Sequence, residues 1–310
     1  MRQTFINTLL ELAEEDSRIL LLTGDLGYNV LEPFIDRYPE RFYNVGVAEQ
    51  NMIGMTTGLA EAGYIPFVYS IATFATLRPY EFIRNGPVLH QLPVRIIGVG
   101  GGFEYGHAGV THHGLEDIGV MRIQPGITVI APADYEQART ALLSTWNMSG
   151  PVYYRLGKDN KTTVPSLNGR FQLGRVQYIH EGDDALILTM GSVASEVAEA
   201  VKTLANHNVS CSALVVASLN PAPREDLEGI MARFKLVFTV EAHYVVGGLG
   251  SLVSEIVAEH GLHCRVVRCG VKGVTSAISG SQAYMRNEHQ LSHAMLTQTV
   301  LSERRRSDNG

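Results

Sequence analysis

Short apolar runs that alternate with longer helical stretches constrain the fold of this chain more than any other feature. Five such runs in the first half have strand length and are rich in Val, Ile, Leu and aromatic residues: residues 18–22, 65–69, 94–99, 127–130 and 152–154. Segments with a helical spacing of apolar residues separate them, over residues 48–61, 75–88, 115–122 and 134–146. This alternation predicts right-handed βαβ units on a largely parallel sheet.

The alternation stops once and then starts again. Between residues 158 and 176 the chain collects Lys, Asn, Asp, Gly and Pro, which is the composition of an interdomain joint. Beyond the joint, strands are predicted over residues 185–189, 209–216, 236–240 and 264–267, and helices over 195–204, 224–234, 250–260 and 282–303. We therefore expect two doubly wound α/β domains with mainly parallel sheets, at 1–160 and 179–310, joined by a linker at 161–178.

The composition argues against several classes of partner. A net charge of −6 over 310 residues is not typical of a nucleic-acid-binding surface or of attachment to an anionic membrane. No apolar run reaches the roughly 20 residues that a bilayer requires, and residues 1–5 lack the layout of a signal peptide. The three cysteines have no CxxC spacing, which favours free thiols in a reducing compartment. A cytoplasmic protein is the expectation.

The most informative motif is GVAEQNM at residues 46–52, which follows the end of a predicted strand. It places Glu49 in the first turn of a helix. A structural interpretation is available, because a carboxylate at this position interacts favourably with the helix dipole by about 0.3–1 kcal/mol. The spacing alone favours that interpretation, so a catalytic role for Glu49 depends on motifs elsewhere in the chain.

Further motifs follow in order along the chain. They are ATFATLRPYE at residues 72–81, GVTHHG at 109–114, and VEAH with GGLG at 240–250. Together with GVAEQNM, their order and spacing resemble the pyrimidine-binding and C-terminal domains of transketolases, over nearly the whole chain. The related 1-deoxyxylulose-phosphate synthases and the β-subunits of 2-oxo-acid dehydrogenases share this resemblance.

The resemblance implies thiamine diphosphate as the cofactor. The matching glutamate, Glu49, would hydrogen-bond the ring nitrogen of the aminopyrimidine and so promote the loss of the thiazolium proton that makes the cofactor a nucleophile. The resemblance also implies that Phe74 stacks on the pyrimidine, with Leu77 and Tyr80 closing the pocket. From the residues alone, Phe74 is more readily a core aromatic, and the two interpretations are compatible.

For the substrate, the resemblance implies contacts from the THH motif. His112 matches the histidine that contacts the donor carbonyl, where an imidazole can donate to a developing oxyanion near neutral pH. His113 is expected to orient the loop. His107 and Lys158 are further candidates for substrate binding, with Lys158 at a phosphate group and Arg155 as its supplement.

The expected substrate wall departs from the family pattern. Where transketolases usually carry a histidine and an aspartate that contact sugar hydroxyls, this chain has Gly100 and Ala108. Lysine also stands at position 158, where arginine is common. The resemblance therefore implies the cofactor chemistry without identifying the sugar.

One signature of this superfamily is missing from the sequence. A GDG motif with NN downstream holds Mg²⁺ and the diphosphate, and the GDL at residues 24–26 has no such companion. That GDL resembles the family's turn at the dimer interface, and we include Asp25 among the cofactor-binding residues. No metal ligand is assigned to this chain. We expect an N-terminal transketolase subunit to supply the diphosphate and Mg²⁺ site, in an α₂β₂ assembly.

The expected function is that of one subunit of a split transketolase, which moves a two-carbon ketol unit from a ketose or ketose phosphate to an aldose. Two alternatives stay open. The β-subunit of a 2-oxo-acid dehydrogenase shares the fold and the glutamate, although the THH and RPYE motifs favour a transketolase. A non-catalytic regulatory relative would have no need of Glu49, Phe74 and His112 together.

Overall fold

The structure, a computed structural model, describes residues 1–273 and 278–308. The strands are β1 (Ile19–Thr23), β2 (Phe42–Asn44), β3 (Ile65–Ile71), β4 (Arg95–Val99), β5 (Thr128–Ile130), β6 (Val152–Leu156), β7 (Gln177–His180), β8 (Ala185–Thr189), β9 (Cys211–Val215), β10 (Ser218–Asn220), β11 (Leu236–Tyr244) and β12 (Arg265–Val271). The α-helices are α1 (Arg2–Glu15), α2 (Glu32–Arg37), α3 (Glu49–Glu61), α4 (Ala72–Thr76), α5 (Tyr80–Ile83), α6 (Asp117–Arg122), α7 (Tyr135–Thr145), α8 (Ala194–Asn206), α9 (Arg224–Met231), α10 (Leu249–His260), α11 (Gln282–Glu288) and α12 (His293–Asp308). None of the helices in this part of the chain is long and apolar enough to cross a membrane.

The strands form two mainly parallel sheets. The first has seven strands in the order β10-β5-β6-β4-β3-β1-β2, and the second has five in the order β12-β11-β8-β9-β7. Among the strands of the described residues, only the edge strands β10 and β7 pair antiparallel to their neighbours. Strands β1, β4 and β6 are buried at every position, as expected for a parallel sheet with helices on both faces. The predicted α/β fold class is confirmed.

The two faces of the first sheet pack into different apolar clusters. Alternate residues of β3 divide between them: Val68 joins a cluster that also holds Leu188 and Leu252, while Phe67 and Tyr69 join a cluster with Phe5 of α1. Side chains alternate in this way because successive Cβ atoms of a strand point to opposite faces. The first cluster contains residues of both sheets, so the two halves of the described chain share one continuous core.

The prediction of one continuous helix over residues 75–88 is wrong, because the helix is interrupted. It consists of α4, α5 and a π-helical segment at Arg84–Val88. The interruption falls at Pro79, which lacks a backbone N–H and disfavours the helical conformation of the residue before it. This break separates Phe74 in α4 from Tyr80 in α5 and leaves Arg78 between the two helices.

Candidate active site

Glu49 is the first residue of α3 and lies at the carboxyl edge of the first sheet. Its side chain is 2% exposed. The turn after β2 directs the chain inward: Gly46 has a φ of +73°, and its carbonyl accepts the N–H of Ala48 at 2.7 Å. The hydroxyl of Ser70, in β3, donates to Glu49 Oε1 at 3.3 Å. The carboxyl edge of a parallel sheet is where open α/β folds bind their ligands.

The buried carboxylate has a cationic partner that was not predicted from the sequence. Arg78 Nη1 donates to Glu49 Oε1 at 3.0 Å and to Oε2 at 2.8 Å. The carbon at the centre of the same guanidinium lies 3.8 Å from the centroid of the Phe74 ring, close enough for a cation–π contact. Arg78 lies outside α4, in the turn before α5, so helical spacing from Phe74 gave no signal for this contact.

His112 completes the group through a second contact with Phe74. The two ring centroids are 5.1 Å apart with the planes at 67°, an edge-on contact. His112 ends a short 3₁₀ helix, Val110–His112, and its Nδ1 lies 2.9 Å from Thr111 Oγ1. The structure therefore brings Glu49, Phe74 and His112 into one series of contacts, with Arg78 between the carboxylate and the aromatic ring.

The loop that carries His112 is held by a pair of backbone hydrogen bonds at its base and by the packing of His113 against Phe103. Gly102 N–H donates to the Gly114 carbonyl at 2.7 Å, and Gly114 N–H donates back at 3.0 Å. His113 is buried, and its ring packs edge-on against Phe103 with centroids 5.2 Å apart. Burial lowers the pKa of His113, which favours the neutral ring. This packing agrees with the loop-orienting role expected for His113.

Two of the substrate-binding candidates lie on the His112 side of the group. Lys158 Nζ is 4.5 Å from the centroid of the Tyr105 ring, and that centroid is 6.5 Å from the His112 ring. His107 is exposed on the short 3₁₀ helix Gly106–Ala108 of the same loop. Their contacts with a substrate stay predictions.

The residues expected to close the pyrimidine pocket differ in their surroundings. Leu77 is exposed beside Arg78. Tyr80 is half-buried and lines a surface cavity together with Val88 of the π-helical segment, the following Leu89, and Ile123 in the loop after α6. Leu77 is therefore accessible to solvent next to Arg78, whereas Tyr80, which follows the break at Pro79, lines this cavity.

Asp25 lies on the turn that follows β1. Its side chain accepts hydrogen bonds from Asn44 Nδ2 at 3.0 Å and from the Tyr28 hydroxyl at 2.9 Å, and these bonds lower its pKa. Asn44 Oδ1 accepts the backbone N–H of both Asp25 and Gly46 at 3.0 Å. Asp25 is thus tied to the turn that leads into Glu49, and its contact with a cofactor stays a prediction.

Arg155 was expected to supplement Lys158 at a substrate phosphate, but the structure buries it. Its side chain is 4% exposed, and its Nε donates to Asp117 Oδ2 at 2.8 Å. Its Nη2 donates to the carbonyls of Gly114 at 2.7 Å and Ala242 at 2.9 Å. These contacts favour a structural role, in which Arg155 joins the base of the His112 loop to β11. In the sequence, Asp117 is recognisable only as an acidic residue in the first turn of a helix, which is a common and favourable position for a carboxylate.

Replacement of Arg155 by methionine is expected to destabilise the chain by about 3–5 kcal/mol, because it leaves the Asp117 carboxylate buried without its cation. The free energy of unfolding, measured by denaturant titration, checks this. In the double variant Arg155→Met/Asp117→Asn the buried charge is absent, and we expect part of the loss to be recovered. A single variant with unchanged stability and a raised KM for phosphorylated substrates would instead support the phosphate contact.

Two domain families match the chain. The transketolase pyrimidine-binding domain matches residues 1–163, and the transketolase C-terminal domain matches residues 174–294. The chain belongs to the transketolase family. The resemblance stated from the motifs is confirmed, and transketolases generally use thiamine diphosphate.

Several transketolase relatives match nearly the whole chain. A protein of Methanocaldococcus jannaschii named as a transketolase C-terminal section is 35% identical, over 88% of this chain and 87% of its own length. One of the subunits of the apulose-4-phosphate transketolase of Actinobacillus succinogenes is 31% identical over 88% of each chain. A solved structure of a split gene transketolase, an inactive beta4 tetramer, is similar over 97% of both chains, with a TM-score of 0.87 and 33% identity. This transketolase chain is thus similar to single sections or subunits.

Proposed function

We propose that this chain is the subunit of a split thiamine-diphosphate-dependent transketolase that holds and activates the aminopyrimidine of the cofactor. The observation that carries the proposal is the buried Glu49 carboxylate, which shares one flat partner with the Phe74 ring. That partner, the Arg78 guanidinium, donates from Nη1 to both carboxylate oxygens while its central carbon lies over the Phe74 ring, 3.8 Å from the centroid. An aminopyrimidine also combines a planar face with N–H groups, so the two residues fit it.

In this proposal Glu49 shares a proton with the pyrimidine of the cofactor, and Phe74 orients the pyrimidine ring. When bound, thiamine diphosphate supplies a carbon nucleophile for cleaving the bond next to a ketose carbonyl. Glu49 shares a proton with the ring nitrogen of the pyrimidine, and a carboxyl group removed from water suits this short hydrogen bond. Phe74 holds the ring by stacking. A glutamine at position 49 would keep the shape of the side chain but could not share the proton.

His112 is proposed to donate a hydrogen bond to the substrate oxygen on which negative charge develops. When the Thr111 hydroxyl donates to Nδ1, 2.9 Å away, the ring proton resides on Nε2. Nε2 is then the donor, and the contact with Phe74 keeps it beside the proposed pyrimidine pocket. A preorganised donor of this kind stabilises the transition state more than the ground state.

The proposed substrates are a phosphorylated ketose as donor and an aldose as acceptor of the two-carbon unit. Lys158 supplies a positive charge near Tyr105, on the His112 side of the site. A lysine is a point charge suited to a phosphate group. The relative from Actinobacillus succinogenes carries apulose-4-phosphate in its name, which supports an anionic sugar here.

The proposal includes a second kind of subunit, an N-terminal transketolase section that binds the diphosphate and Mg²⁺, in an α₂β₂ assembly. The names of the relatives support it, because they describe a C-terminal section, a single transketolase subunit and a split gene product. The beta4 tetramer of the split gene relative is described as inactive. By analogy, we propose that this chain needs its partner for turnover.

In the assembled enzyme, His112→Ala is expected to lower kcat by about 10²- to 10³-fold, the usual loss for one oxyanion donor. The dissociation constant of thiamine diphosphate should stay unchanged, because Glu49 and Phe74 are intact. Steady-state kinetics with a panel of ketose phosphates, together with calorimetric titration of the cofactor, measure both quantities.

The matched control is His260→Ala, which removes a histidine that pairs with Glu228 at 3.1 Å on the C-terminal half of the chain. It should leave kcat at the wild-type value. If His112→Ala were as active as this control, His112 would have no part in the reaction, and the proposed substrate wall would be wrong.

A further inference from the structure

The Arg78 guanidinium already makes the two contacts that the proposed function assigns to the cofactor's pyrimidine. It donates to both oxygens of Glu49 and lies 3.8 Å from the centroid of the Phe74 ring. A guanidinium is planar, carries its N–H donors in the plane and stacks on aromatic faces. An aminopyrimidine cannot stack on the same face of Phe74 and reach the same carboxylate while the guanidinium is there.

The environment of Arg78 allows it to leave without unfolding the site. Its side chain is 40% exposed, whereas that of Glu49 is 2% exposed, so the guanidinium reaches the carboxylate from the solvent side. Within residues 1–273 and 278–308, its hydrogen bonds go to Glu49 alone. The following residue, Pro79, is buried and has a fixed φ. A rotation of the side chain is therefore sufficient, and the backbone can stay in place.

A reason for the contact follows from the burial of Glu49. A carboxylate removed from water is costly unless it is paired. Besides Arg78, the hydrogen bonds of the described residues offer Glu49 only the Ser70 hydroxyl, at 3.3 Å. Arg78 therefore supplies the pairing charge that keeps Glu49 in position, next to Phe74, before any ligand arrives.

We propose that Arg78 is an internal ligand of the pyrimidine pocket, which stabilises the vacant site and which the cofactor must displace in order to bind. This inference rests on the proposed function, since it assumes that Glu49 and Phe74 receive the pyrimidine. Arg78 then lowers the apparent affinity for the cofactor, because only the fraction of molecules with the side chain displaced can bind. The same residue makes the vacant chain more stable.

The test compares Arg78→Met with wild type in the assembled enzyme, using thiamine diphosphate with Mg²⁺ as the probe. Calorimetric titration should show the dissociation constant of the variant lowered by about 10-fold, within the usual range of coupling between competing contacts. The melting temperature of the isolated, cofactor-free chain should fall, because Glu49 loses its cation. Neither measurement depends on turnover.

The matched control is Arg84→Met, which removes an exposed arginine that donates to Asn85 at 2.9 Å in the π-helical segment. It should change neither quantity. Unchanged or weaker cofactor binding by Arg78→Met would overturn the inference.

The variant Phe74→Ala distinguishes failure of the inference about Arg78 from failure of the proposed function. If Phe74→Ala weakens cofactor binding while Arg78→Met does not strengthen it, the pocket is correct and Arg78 does not compete for it. If Phe74→Ala leaves the affinity unchanged as well, the pyrimidine pocket itself has been assigned wrongly.

Discussion

Glu49→Gln is expected to lower the turnover of the assembled enzyme by about 10²- to 10⁴-fold, the range for loss of a positioned acid–base group. The amide is nearly isosteric with the carboxyl group, so it can occupy the same buried position in α3 and accept the hydrogen bond from Ser70. It cannot share a proton with the ring nitrogen of the pyrimidine. The loss should therefore appear in kcat with every donor sugar, because the proposed role concerns the cofactor and not the substrate.

The control for this variant lies on the same helix. Glu61 is the last residue of α3 and is exposed, so Glu61→Gln makes the same chemical change outside the site and should keep wild-type turnover. Circular dichroism and the sedimentation of the assembly should be unchanged in both variants. A Glu49→Gln enzyme as active as Glu61→Gln would mean that Glu49 serves only the structure of the helix terminus.

The sequence was sufficient to predict the buried parallel strands because the signal for each of them lies within its own residues. Strands such as β4 and β6 are buried at every position, and a continuous apolar run records that burial. The antiparallel edge strand β10 is different. Ser218–Asn220 is short and partly polar, and it joins the first sheet through β5, far away in the chain. Such pairing depends on tertiary contacts that no local pattern contains.

The candidate site likewise has features that could be predicted from the sequence and features that could not. Motifs selected Glu49, Phe74 and His112. The structure joins them in one series of contacts, with Arg78 between the first two. The insertion of Arg78 between two of them was not predicted, because the break at Pro79 determines where its side chain lies. The burial of Arg155 was also missed: from the sequence it is a cation at the end of a strand, and only the fold brings Asp117 to it.

Purified alone, the chain is expected to show no transketolase turnover with thiamine diphosphate and Mg²⁺, whereas addition of the N-terminal section should produce it. The difference should be all or none. Glu49, Phe74 and His112 can act on the pyrimidine and the substrate, but the diphosphate and Mg²⁺ are proposed to bind to the partner.

The measurement is the rate of two-carbon transfer from a ketose phosphate to an aldose, for each polypeptide alone and for an equimolar mixture, with the mass of the mixed species determined by light scattering. The N-terminal section is chosen from the same organism by its GDG and NN motifs. We predict turnover only in the mixture, in a species with the mass of an α₂β₂ tetramer. Turnover by the isolated chain at the rate of the mixture would contradict the assignment of this chain as one half of a split transketolase.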